Sequence, residues 1–208
     1  MGRMMIVNAS PRAPRSNSKR IIERFQAYWA EAAGLYPTIS NRHEQALASL
    51  QGCSDLLLVF PLYADSPPST LLGFLKALSA ASISPKPAVH VIINCGFIEP
   101  EQNLVALDII RFFCRQNGFP FGSTLSIGSG EAILDTPFSF LVWRKLKKFA
   151  AAVRNRQPVH LQTAMPIPKK WFIAASTNYW IQYGQKNGID KQQMQTMEIE
   201  GGVLPPKQ

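Results

Sequence analysis

Three short, almost uninterrupted apolar runs, residues 3–9, 55–60 and 88–94, constrain this chain more than any other feature. A strand covered by helices on both faces reads as a continuous apolar run, whereas a half-solvated strand alternates, so these runs predict strands inside a parallel sheet. The segments between them have a different period. Ile21, Ile22, Phe25, Tyr28, Trp29 and Ala32 recur at helical spacing, as do Leu71, Leu75 and Leu78, then Leu107, Ile110 and Cys114, then Phe138, Val142, Leu146, Phe149 and Val153. Each stripe gives a helix one face to lay on the sheet. A weaker strand over residues 35–40 and another over 121–127 complete a five-strand βα alternation, and right-handed crossovers then favour a doubly wound α/β domain.

The alternation stops near residue 158. Residues 1–157 are expected to form one domain and 158–208 a docked C-terminal extension, which holds Trp171, Phe172, Tyr179, Trp180 and Tyr183, more aromatic surface than a disordered segment normally carries. At 208 residues and 46% hydrophobic the chain suffices for one well-buried core and is short for two. Cys53, Cys95 and Cys114 are odd in number, lie in or beside apolar segments and form no C-x-x-C pair, which argues against a disulfide framework and a zinc site. His43, His90 and His160 are too scattered to predict a metal cluster. No run of 18 apolar residues occurs, and the N-terminus passes straight into the first strand, so a cytoplasmic protein without stable membrane insertion is expected. The net charge of +9 favours anionic partners without choosing among phosphorylated cofactors, nucleic acid and membrane surfaces.

A doubly wound sheet opens its crevice at the carboxyl ends of the strands, at the topological switch point. Three turns fall there. The first, residues 8–18, leaves a buried strand and opens a helix, whose unpaired N–H groups and macrodipole suit an anion. Ser10, Ser16, Asn17 and Ser18 add short polar side chains, and Arg12 and Arg15 add charge. Ser and Asn at this place are equally the preferred caps of any helix, so phosphate site and plain N-cap both stand. The second turn is Pro61, Leu62, Tyr63, Ala64, Asp65, Ser66, Pro67, Pro68, and the third begins Asn94, Cys95, Gly96, Phe97.

Asn8-Ala9-Ser10-Pro11-Arg12 followed by Ser16-Asn17-Ser18 resembles the N/G-x-S-P-R…S-x-[ST] loop of the NADPH-dependent FMN reductase and flavodoxin-like superfamily. The second turn resembles that family's P-x-Y-x-x-S-x-P…LK segment, and the third resembles its turn after strand four. The resemblance implies a flavodoxin-like five-stranded sheet of order 2-1-3-4-5 and an FMN site. Its first loop would hold the phosphate through Ser10, Arg12, Ser16, Asn17 and Ser18. Pro61, Leu62, Tyr63 and Ala64 would lie on one side of the isoalloxazine ring and Asn94, Cys95, Gly96 and Phe97 on the other. It further implies NADPH or NADH as reductant, a small acceptor (quinone, flavin, nitro or azo compound) and a homodimer. The chain departs from true flavodoxins in lacking a glycine-rich first loop and in carrying Pro11 and Pro14 there.

No catalytic side chain is required if flavin carries the chemistry. Glu99 reads either as a proton source or ribityl partner or as a helix-dipole partner, and Cys95 as a buried hydrophobe or a redox group. Gly128-Ser129-Gly130-Glu131 lacks the P-loop pattern and reads as a β-turn. Two other functions compete. A flavodoxin-type electron carrier would bind FMN but react slowly with NAD(P)H, and such carriers are typically acidic. A basic binding module would use Arg144, Lys145, Lys147, Lys148, Arg154, Arg156, Lys169 and Lys170, followed by aromatics, on anionic membrane or nucleic acid. That run is read here as the solvated face of a helix, so nucleic acid is not an expected partner.

Overall fold

The computed structural model describes residues 3–29 and 31–195. In chain order its elements are β1 (Met4–Asn8), α1 (Asn17–Trp29), β2 (Ala33–Pro37), α2 (His43–Leu50), β3 (Asp55–Pro61), α3 (Ser69–Ala80), β4 (Ala88–Asn94), α4 (Leu104–Asn117), β5 (Phe121–Ile127), α5 (Ser139–Arg154), β6 (His160–Thr163) and α6 (Lys169–Lys186). Contacts divide the chain into two compact units between Met165 and Pro166.

The first unit is one parallel sheet of order β2-β1-β3-β4-β5-β6. The order of the first five strands is the expected one; the sheet has six strands and not five. The sixth lies beyond residue 158, where the apolar pattern stops, because an edge strand of four residues buries only Leu161. Two further differences have local causes. The second strand is Ala33–Pro37, earlier than the run at 35–40: residues Thr38–Ser40 form a 3-10 turn. Helix α1 ends at Trp29, so Ala32 lies outside the stripe that its spacing suggested.

Period-two alternation in the strands divides the core. Met5, Val7, Leu56, Leu58, Phe60, Val91 and Ile93 point to the face covered by α2, α3 and α4, packing on Phe74, Leu75 and Ile110. Met4, Ile6, Leu57, Val59, Ile92, Leu125 and Ile127 point to the other, where α1 and α5 supply Ile21, Phe25, Leu146 and Phe149. Each such fully buried side chain contributes roughly 1.5–3 kcal/mol relative to exposure. Both faces of β1, β3 and β4 are therefore largely apolar, with Asn8, Asp55 and Asn94 at the strand ends and one buried polar side chain, His90, within β4.

In the second unit α6 is followed by a tight return, in which the Ile189 N–H donates to the Gly184 carbonyl at 2.9 Å. A Cβ on Gly184 would lie 2.7 Å from Met194 Sδ and 3.1 Å from the Ile189 carbonyl, so a larger residue here would require the methionine to shift. Among the described residues no helix is long and apolar enough to cross a membrane.

Candidate functional site

Strand β1 lies between β2 and β3, so the chain crosses from one side of β1 to the other, and the crevice opens beyond the carboxyl ends of β1 and β3. The first turn is shaped by its own side chains. The Ser10 N–H donates to Asn8 Oδ1 at 3.2 Å, and the Arg12 N–H donates to Ser10 Oγ at 3.3 Å. Ser16 caps α1: its Oγ accepts the Lys19 N–H at 3.2 Å, and its carbonyl accepts the Arg20 N–H at 3.3 Å. Among the described residues, the backbone N–H groups of Asn17 and Ser18 meet no acceptor. Arg12 and Arg15 are exposed and form no ion pair among the described residues. An anion at this helix end would find two open donors and two guanidinium groups within the same loop.

The expected polar side chains divide by burial. Ser10 and Ser18 are buried, and the Ser18 hydroxyl reaches Asn94 Oδ1 at 3.5 Å. Asn17 is half-buried and donates its amide to the Gly130 carbonyl at 2.7 Å, while its Oδ1 accepts from Arg20 at 3.1 Å. Arg20 in turn donates to the Leu134 carbonyl at 3.1 Å and pairs with Asp135 at 2.7 Å. The first turn is thereby bound to the third and to the loop after β5.

The second turn joins the assembly through the Leu62 N–H, which donates to the Asn94 carbonyl at 2.8 Å. It then folds into a two-residue hairpin closed by Tyr63 N–H to Ser66 O at 3.1 Å and Ser66 N–H to Tyr63 O at 3.0 Å. Ala64 and Asp65 have φ of 45° and 59°, the left-handed values a type I′ turn demands and glycine or asparagine usually supplies. An alanine there costs roughly 1–2 kcal/mol, the kind of strain that collects at functional sites. Tyr63 and Phe97 are both exposed at the rim.

The third turn is held by a loop that sequence reasoning set aside. Gly130 N–H donates to the Cys95 carbonyl at 2.6 Å and Ser129 N–H to the Phe97 carbonyl at 2.5 Å. A Cβ on Gly128 would stand 2.5 Å from Ile98 O, and one on Gly130 would stand 2.9 Å from Asn94 Cβ. Both glycines are demanded by close backbone approach. Residues 128–131 do form a turn, but one that sits at the same sheet end as the other three. Its place directly after the fifth predicted strand is the signal that identifies it. The Glu131 carboxyl lies 3.5 Å from where a Gly96 Cβ would be.

Burial pushes the Cys95 thiol up from its ordinary range, a trend only partly opposed by its contact with Phe97. Glu99 precedes the 3-10 turn Pro100–Asn103, and its carbonyl accepts the Gln102 N–H at 3.3 Å. The histidines lie apart: His43 meets the Tyr36 hydroxyl at 2.6 Å, His90 meets Asp55 at 3.1 Å and His160 meets Thr124 at 3.0 Å. A cavity of about 490 Å³ lies elsewhere, lined by Leu78, Lys86, Arg115 and Phe119 at the helix ends remote from these turns.

No protein-family model matches the chain, and no curated protein matches it in sequence. Solved structures do share its fold. An FMN-dependent NADH-azoreductase of Bacillus anthracis, solved in complex with FMN, is 14% identical, with 74% of this chain and 99% of that one covered at a TM-score of 0.57. An NADPH-quinone reductase of P. pentosaceus is 15% identical, with 74% and 97% covered at 0.54. A flavodoxin of Streptococcus pneumonia TIGR4 is 15% identical, with 74% and 99% covered at 0.56. At these identities the likeness is one of fold, and the fold is flavodoxin-like.

Proposed function

We propose that this chain is an FMN-dependent oxidoreductase that takes hydride from NADPH or NADH and passes reducing equivalents to a small acceptor such as a quinone, free flavin, nitro or azo compound. The observation that carries the reading is the convergence of three turns at the carboxyl ends of β1, β3 and β4, with the open N–H groups of Asn17 and Ser18 beside Arg12 and Arg15. The fold similarity to an azoreductase described with FMN and to a quinone reductase supports the same class.

The residues present fit FMN. The phosphate matches the anion-ready end of α1, where each N–H to a charged acceptor contributes about 1.5–3 kcal/mol. Ser16 holds the helix end in place, and the Ser10 turn directs the Arg12 backbone. The hairpin at Tyr63 and Ala64 and the turn at Asn94, Cys95, Gly96 and Phe97 would flank the ring system, with Tyr63 and Phe97 limiting solvent access. FMN, when bound, accepts and releases hydride; the protein positions it and sets its surroundings. The Glu131 carboxyl beside Gly96 adds negative charge at that rim.

A homodimer is part of the reading. Val105, Ile109 and Phe112 are exposed at i, i+4 and i+7 on α4, an apolar stripe on a helix that otherwise covers the sheet. Similarity to a flavodoxin supports a second reading, an electron carrier. An absorption spectrum after reconstitution with FMN, followed by anaerobic NADPH and then NADH, separates them. Stoichiometric flavin that bleaches supports the oxidoreductase, flavin that stays yellow supports the carrier, and no binding at micromolar FMN overturns both.

A further inference from the structure

We propose that α6 is an interfacial helix that lies on anionic phospholipid membranes through one aromatic face. Phe172, Ser176, Tyr179 and Tyr183 follow one another at i, i+4, i+7 and i+11, flanked by Ile173 and Trp180. The rings are in contact: Tyr179 and Tyr183 stack at 6.2 Å, and Trp180 meets them edge-on at 5.3 and 5.9 Å. Among the described residues Tyr179 is 60% and Tyr183 53% exposed on this face, while Phe172 and Ser176 are half-buried. The return of the chain after Asn187 packs at Gly184.

The charges identify the partner. The helix has no Asp or Glu, and Lys169 and Lys170 open it while Lys186 closes it. A lysine in a first turn opposes the helix macrodipole, so the dipole does not account for Lys170. An anionic headgroup layer attracts each lysine. Trp and Tyr, part apolar and part polar, are the residues that settle at the headgroup level. The helix is too polar to span and, at about 1.5 Å per residue, long enough to lie along the surface for roughly 27 Å.

The test sediments the full chain with vesicles of equal parts phosphatidylcholine and phosphatidylglycerol, and with phosphatidylcholine alone, while recording bound flavin separately. Binding to the anionic vesicles is expected to be at least about tenfold tighter than to neutral ones, from the pull on each lysine near a charged surface. Lys170→Glu with Lys186→Glu abolishes that difference. Tyr179→Ser with Trp180→Ser weakens binding to both vesicles, and tryptophan emission shifts to the blue on anionic vesicles only while Trp180 is present. Binding that is absent, or unaltered by these substitutions, overturns the proposal. Self-association that the Tyr179 and Trp180 substitutions remove, without vesicle binding, also overturns it and assigns the face to a second copy. Retention on single-stranded DNA without vesicle binding does the same in favour of nucleic acid.

Discussion

Ser16 and Asn17 are adjacent in the sequence, yet the fold uses them differently. The Ser16 hydroxyl hydrogen has only the Ala13 carbonyl at 3.5 Å, the limit of a hydrogen bond, so it is free to turn to a phosphate. Asn17 instead ties its turn to Gly130. Ser16→Ala is therefore expected to weaken FMN more than riboflavin and to lower stability by about 1 kcal/mol through the lost cap. Asn17→Ala is expected to weaken both ligands alike, because it loosens the loops that hold the ring. Titration of each variant with the two flavins, beside a melting curve, checks this; a FMN-selective loss in Asn17→Ala would move that side chain onto the phosphate. The cysteines give a second expectation. Burial pushes Cys53 and Cys95 up and Cys114 up to about 12, so thiolate is scarce at pH 8. Ellman's reagent should find all three only after denaturant is added; one rapid equivalent in the native protein would mark Cys95 as a reactive thiol. Sequence alone identified the Ser and Asn types at this helix start, but not which of them would be buried, since that depends on Asn94 and Gly130 far along the chain.

At the scale of elements, the amino ends of β3 and β4 and the turn after α5 meet at one carboxylate. Asp55 is buried and accepts from His90 Nε2 at 3.1 Å, from Ser54 at 2.5 Å and from Arg156. Because the Ser123 N–H donates to His90 Nδ1 at 2.9 Å, the Nε2 of that ring carries the proton. Burial raises the Asp55 carboxyl, but the hydrogen bonds from His90, Ser54 and Arg156 outweigh it and hold the group below its ordinary range. A carboxylate so depressed adds stability above its unfolded value near 3.9, lost as pH falls through the lower folded value. Asp55→Asn should thus destabilise by about 2 kcal/mol at pH 7, and the gap to the parent should narrow progressively as pH falls from about 3.9 through the lower folded value. Urea melts in steps from pH 7 down to about pH 2 measure it, and a gap constant over the whole range would show that the charge is not what matters. The legible elements were those buried on both sides. In β1, β3 and β4 nearly every position is apolar, whereas edge strand β2 leaves Leu35 53% exposed. Helix α2 buries only Ala46 and Leu50, too few positions to define a period over eight residues.

For the whole molecule the question is where the chain can be cut. The alternation of apolar segments ends before residue 158, but the sheet does not. Thr124 N–H donates to Val159 O at 2.8 Å, Gly128 N–H to Thr163 O at 2.8 Å and Met165 N–H to Ser129 Oγ at 3.2 Å, so β6 and its flanks hold the loop that backs the third turn. Each such bond contributes net about 1 kcal/mol and buried Leu161 about 2 kcal/mol, together a large part of a domain's stability. A chain ending at Gln157 should accordingly melt far below the parent and lose flavin, while one ending at Met165 should keep both its melting temperature and its FMN affinity. Loss of vesicle binding in the chain ending at Met165, with its fold and flavin intact, is the whole-molecule counterpart of the α6 substitutions. Aggregation of that shortened chain, beside a soluble full chain, would instead mean that residues 166–208 cover the body, the docked extension expected from their aromatics. Calorimetry, flavin titration and vesicle sedimentation on the three lengths separate these outcomes, because the sheet, the cofactor site and the aromatic helix depend on different stretches of the chain.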